Sequence, residues 1–141
     1  MNTLTESDIK VLAEALDDEY MAYAIYDQVI NDFGNVRPFS NIREAEGRHI
    51  EALLALYRKY GLPIPENSWP EVVPRYKSLE EACEAGMTAE IENGEMYERL
   101  LQQTNKTDIK GVLNNLKEAS QQRHLPAFQR CAERNSNRRD I

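Results

Sequence analysis

Glu46 and His49 are the residues from which the chemistry of this chain can be read. They lie at the centre of one helical stripe, Phe39, Ile42, Glu46, His49, Leu53, Leu56 and Tyr60, whose members recur in alternating steps of three and four. Every other member is apolar or aromatic. A carboxylate buried in such a stripe is costly unless something positive satisfies it. Glu and His at i and i+3 project from one face, and pairs of helices carrying them hold two metal ions inside four-helix bundles.

Three further stripes follow the same rule. Helix one, from the capping-box sequence Thr5-Glu-Ser-Asp8 to about Ile30, presents Ile9, Leu12, Leu16, Glu19, Tyr23, Tyr26 and Ile30. Helix three starts at a second capping box, Ser78-Leu-Glu-Glu81, and reaches about Gln103 through Leu79, Cys83, Gly86, Glu90, Asn93, Tyr97 and Leu100. Helix four, about Asp108 to Arg134, carries Ile109, Leu113, Leu116, Ser120, His124, Phe128 and Cys131, with a kink expected at Pro126. Glu19, Glu46 and Glu90 are thus isolated acids in apolar stripes, and His49 and His124 are the only histidines of the chain. Carboxylate and imidazole ligands suit iron or manganese, with zinc as an alternative. Tyr23, Tyr26 and Tyr97 are placed to hydrogen-bond the ligands. The competing reading is a metal-free core in which the acids and histidines satisfy one another.

The connections say how the stripes are brought together. Asn31-Asp-Phe-Gly34 and Pro38 stop helix one and start helix two after a short link, which makes an antiparallel hairpin. Helix two stops at Gly61, and Pro63 and Pro65 prevent its continuing. The stretch to Lys77 has four prolines and no helical period. About 17 extended residues span more than the ~33 Å of a 22-residue helix, so this loop can cross the whole bundle and start helix three parallel to helix two. Leu62, Ile64, Trp69, Val72 and Val73 are expected to pin it. The expected fold is all-α, an antiparallel four-helix bundle with a long crossover between helices two and three. One domain spans residues 1–134, followed by a flexible tail at 135–141.

Composition excludes several classes of function. Net charge is −7, from 24 acidic and 17 basic residues, which argues against nucleic-acid or anionic-membrane surfaces. No run approaches the ~18 apolar residues of a membrane span, and the polar start Met1-Asn-Thr-Leu-Thr-Glu-Ser-Asp8 has no secretory pattern. Cys83 and Cys131 show no CxxC spacing; buried thiols in a reducing cytoplasm are the expected state, with a disulfide between them as the alternative.

These motifs resemble a known family. Glu19-Tyr-Met-Ala22-x-x-x-Tyr26 followed by Glu46-x-x-His49 resembles the first half of the rubrerythrin and ferritin-like di-iron proteins, and Ala89-Glu90 with Tyr97 resembles their third helix. Phe39-x-Asn41-Ile42-x-x-x-Glu46-x-Arg48-His49, Tyr60-Gly-Leu-Pro63, Ser78-Leu79 and Ala119-Ser120 with His124-Leu125-x-Ala127-Phe128 are similar to an uncharacterised ferritin-like family, a domain of unknown function. The resemblance covers about residues 8 to 134 and implies a ferritin-like bundle with iron at its centre, two ions or one. It departs at Gln121, where di-iron proteins carry the Glu of a second Glu-x-x-His, and at Asn93, where a rubrerythrin offers a further carboxylate. One firm site (Glu19, Glu46, His49) and a weaker second (Glu90, His124, with Gln121) are therefore expected. No rubredoxin-type CxxC pair is present. The resemblance implies an oxidoreductase using peroxide or dioxygen with an external electron donor. Iron storage with ferroxidase activity, and a non-enzymatic bundle acting as a single-metal sensor or dimerisation unit (a homodimer), are the alternatives.

Overall fold

A computed structural model describes residues 3–139. Five α-helices are present: α1 (Glu6–Phe33), α2 (Phe39–Tyr60), α3 (Leu79–Leu101), α4 (Thr107–Ala119) and α5 (Leu125–Arg139). A π-helical turn, Ser120–His124, joins α4 to α5, so the last two make one rod and the architecture is a four-helix bundle. No strand occurs among the described residues. Among the described residues, no helix is long and apolar enough to cross a membrane.

The ends of the rods follow from local chemistry. The Thr5 hydroxyl accepts from the Asp8 amide while the Asp8 carboxylate accepts from the Thr5 amide, so the capping box is complete. Ser78 accepts from the Glu81 amide at the start of α3. Gly61 ends α2 at φ 64°, a left-handed conformation that costs glycine little. The helix expected to end near Arg134 continues to Arg139; Asp140 and Ile141 lie outside the described residues.

The crossover runs down the outside of α1, as the Trp69 indole donating to Asp17 (2.8 Å) and Arg75 pairing with Asp32 show. Its apolar residues pin it less than expected: Ile64 is 48% and Val72 67% exposed. Aspartates of α1 hold the segment instead. At its far end the loop starts α3 parallel to α2, and Thr104, just after α3, reaches Asp8 near the start of α1 (2.7 Å).

Two apolar clusters fill the bundle, one at each end. One gathers Leu12, Leu16, Leu53, Leu100, Ile109 and Leu113; the other gathers Tyr26, Phe39, Ile42, Cys83, Phe128 and Cys131. In α1 the buried face is centred on Val11, Leu12, Ala15 and Leu16, leaving Ile9 40% exposed. Cys83 and Cys131 are fully buried and joined as a disulfide, with Cα atoms 5.7 Å apart. This corrects the expected free thiols: antiparallel packing of α3 on α5 puts the two positions within bridging range. The cysteines therefore give no argument for a reducing compartment.

Candidate metal centre

Between the two apolar clusters lie the isolated acids and both histidines. Glu19 comes from α1, Glu46 and His49 from α2, Glu90 from α3, and His124 from the π-turn. All three glutamates and His124 are buried; the His49 side chain is 12% exposed. They form two overlapping groups, Glu19–Glu46–His49 and Glu46–Glu90–His124, each with its donor atoms within 4.8 Å of one another.

Glu46 belongs to both groups. Its Oε2 lies 3.5 Å from His49 Nδ1 and its Oε1 lies 3.2 Å from His124 Nδ1. The outer carboxylates close the arrangement, Glu19 Oε2 at 3.4 Å from His49 Nδ1 and Glu90 Oε1 at 3.5 Å from His124 Nδ1. The two imidazoles stack with centroids 5.5 Å apart and 19° between planes. This sharing was not legible in the sequence, which gave Glu46 to one site only.

The donor set fits metal. Glu19 Oε2, Glu46 Oε2, His49 Nδ1 and His124 Nδ1 are buried and make no hydrogen bond, and such orphans are rare in native cores. Two donors each about 2.1 Å from one ion stand about 3.0–3.4 Å apart at bond angles between 90° and tetrahedral. The Nδ1–carboxylate separations of 3.2–3.5 Å are close to that span.

Neighbouring side chains orient the carboxylates. Tyr97 donates to Glu19 Oε1, and Tyr26 donates to Glu90 Oε1 at 3.1 Å. Tyr23, expected beside them, is 36% exposed on the outer surface of α1. Ser120 Oγ donates to Glu90 Oε2 at 2.6 Å, a contact that sequence reading missed. The Gln121 amide nitrogen bonds the Glu90 backbone carbonyl (2.7 Å) and Ser120 Oγ (2.8 Å). Gln121 thus props the α3 backbone, in space left by Gly94, where a Cβ would overlap its amide. Asn93 donates to Asp18, another acid the stripes did not single out.

The π-turn positions the fourth rod. Pro126 has no amide hydrogen to donate back into the helix, and the Leu125 amide bonds Ser120 O, five residues back. The extra residue keeps Ser120, His124 and Phe128 all inward. The sequence carried a sign of it: 116, 120, 124 and 128 are three successive steps of four, more than straight α-helix accommodates.

The charges of these side chains hold one another in place. Burial pushes the Glu19 carboxyl up to about 8, with the Glu46 charge adding to the rise. Burial opposes charge on Glu46 too, but contacts from Glu19, His124 and His49 hold it below its ordinary value. Burial would lower both histidines; Glu19 and Glu46 instead raise His49 to about 10, and Glu46 and Glu90 raise His124 to about 9. Burial raises Asp18 to about 7.

A narrow cavity of about 40 Å³ opens between α1 and α3 and reaches the centre. Ala22, Ala85 and Ala89 line it with Tyr26 and Tyr76, and Glu46 and Glu90 form its floor. One water needs at least about 10–15 Å³ by this measure, so two or three water-sized groups fit.

Comparison with known proteins shows a family model and a relative of known structure to which the chain is similar. The rubrerythrin family model matches residues 10–132. The uncharacterized protein MJ0754 of Methanocaldococcus jannaschii is 30% identical over 142 residues, covering 90% of this chain and 76% of that protein. A crystal structure titled as hypothetical protein MJ0754 from Methanococcus jannaschii superposes with a TM-score of 0.85 at 26% identity, covering 96% of this chain and 85% of that one.

Proposed function

The chain belongs to the rubrerythrin family, and from that premise we propose that it is a metal-binding bundle that holds two iron ions and reduces peroxide or dioxygen with electrons from an external donor. The observation that carries this reading is Glu46, whose two oxygens face two different histidines. A carboxylate so placed would be a ligand available to both sites. Glu19 and His49 would complete one site, Glu90 and His124 the other. When bound, the iron pair supplies the electron exchange that no side chain of the cluster provides.

The protein's own groups do the rest. Burial and neighbouring charges raise the pKa values of Glu19 and both imidazoles, so these groups would release protons on binding a cation. Tyr97 and Tyr26 fix the outer carboxylates and can pass protons to them. The cavity excludes bulky organic substrates and admits a molecule of hydroperoxide or dioxygen size.

A second reading, one tight ion and a sensor-like role, draws on a difference between the groups. Glu90 is hydrogen-bonded at both oxygens, by Tyr26 and Ser120, whereas Glu19 Oε2, Glu46 Oε2 and His49 Nδ1 are all without partners. The Glu19–Glu46–His49 group is therefore the stronger binder.

The test is elemental analysis of untagged protein produced with iron, followed by hydrogen peroxide consumption in the presence of a reductant. About two irons per chain with catalytic turnover fits the first reading. One ion without turnover selects the second, and protein that stays metal-free after anaerobic reconstitution overturns both.

A further inference from the structure

Cys83 precedes Glu90 by seven residues on α3, and Cys131, in α5, follows His124 by seven on the last rod. On each helix two turns, about 10 Å, separate a sulfur from a ligand of the same metal group. The space between is filled by aromatic rings in contact: Phe128 packs on Tyr26 with centroids 5.2 Å apart, and the Tyr26 hydroxyl bonds Glu90. These are the only cysteines of the chain.

We infer that Cys83 and Cys131 are a redox pair, cycling between dithiol and disulfide, that supplies two electrons for hydroperoxide reduction at the metal centre. The inference rests on the function proposed above. In the forward step two S–H bonds break and one S–S bond forms. The two electrons and two protons released cleave the O–O bond of hydrogen peroxide and leave two molecules of water. Return to the dithiol uses an external thiol reductant, which leaves as its own disulfide by exchange.

Burial argues for this coupling over direct oxidation. Peroxide attacks thiolates, and fully buried thiols in apolar surroundings stay protonated and inert. The Glu–His cluster, by contrast, is reached by the α1–α3 cavity. Asn135, half-buried, has its amide nitrogen 3.8 and 3.9 Å from the two sulfurs, and it lines a surface recess of about 230 Å³ with Val36 and Leu79. Both sulfurs are fully buried, so reduction of the disulfide would require local opening of the α3–α5 packing beside Asn135.

The experiment titrates reduced protein, loaded anaerobically with ferrous iron and freed of reductant, with hydrogen peroxide. Samples are quenched in denaturant with a maleimide and weighed intact. A pair of ferrous ions accounts for about one equivalent of peroxide and the dithiol for another, so about two equivalents per chain are expected, the second consumed together with both thiols. Cys131→Ser should stop at about one equivalent. Consumption of one equivalent by the unaltered chain with both thiols intact overturns the inference and leaves the metal reading standing. Absence of peroxide consumption overturns both. Thiol loss equally fast in metal-free protein also overturns the inference, because the pair would then react without the centre.

Discussion

Replacing Glu46 by Gln should weaken both metal sites at once, whereas Glu19→Gln should weaken only one. The asymmetry comes from geometry: each Glu46 oxygen faces a different histidine, while Glu19 Oε2 faces His49 alone. Even outer-shell partners of a metal ligand are worth 10–100-fold in affinity, so loss of a charged direct ligand is taken as about 100-fold. At free metal about 100 times Kd, each intact site adds about 2.7 kcal/mol to stability, and a site weakened 100-fold adds about 0.4 kcal/mol. Two sites falling together lose about 4.6 kcal/mol, one site about half of that. At about 4 °C per kcal/mol for a chain of this size, the metal-induced rise in Tm should shrink by roughly 18 °C in the first variant and 9 °C in the second. The assay is thermal unfolding with and without metal, each variant compared with its own metal-free form. Cobalt(II) or iron(II) serves, with stoichiometry from equilibrium dialysis. Equal losses in the two variants, or one site fully retained in Glu46→Gln, would refute the shared-ligand reasoning.

Other consequences can be checked separately. In metal-free protein, His49, His124, Glu19 and Asp18 all have raised folded pKa values, so their stabilising contributions are complete below their unfolded values and are lost as pH rises through the folded ones. Tm of the metal-free form should accordingly fall between about pH 5 and pH 10 and fall much less when metal is bound; a metal-free Tm that climbs across this range contradicts the assignment. Ala89→Leu should narrow the α1–α3 cavity and slow oxidation of bound iron by peroxide about tenfold or more at unchanged metal content, and unchanged stopped-flow rates would remove the cavity as the access route. Gly86→Ala puts a Cβ 2.6–2.8 Å from three ring atoms of Phe128, which is itself held between Tyr26 and Phe39. It should cost about 1–3 kcal/mol, and a denaturant midpoint equal to that of the unaltered chain would show the ring has room to shift.

The helices were legible because their ends are written in residues of fixed conformation. Pro38 and Gly61 delimit α2 at Phe39 and Tyr60, and Thr5 with Asp8 starts α1. The stripes of α3 and of the last rod are inward-facing nearly throughout, since each alternates cleanly with charged residues. Helix α1 was harder: its buried face includes the small Ala15 and the acid Asp8, so a stripe drawn through the large residues admitted Ile9 and Tyr23, which face outwards. The disulfide and the membership of Glu46 in both groups were not legible, for a shared reason. Both depend on which helices pack side by side and where individual side chains aim, and periodicity along one chain fixes neither.

What the sequence carried most clearly was an electrostatic conflict. Three glutamates and two histidines cannot all be buried at ordinary protonation without cost. The metal-free core resolves this with protons: both imidazoles hold an extra one, and Glu19 keeps its own near neutral pH. That resolution is incomplete, because four of the atoms concerned still lack hydrogen-bond partners and the nitrogen–oxygen separations stay at 3.2–3.5 Å. On the function proposed above, dications would relieve the same conflict, with Glu19, Glu46 and His49 as ligands in one group and Glu46, Glu90 and His124 in the other, and would displace the borrowed protons. Protons and metal would then compete for one set of atoms, and Glu46, held below its ordinary pKa and shared between the groups, would be the residue through which occupation of one site is felt at the other.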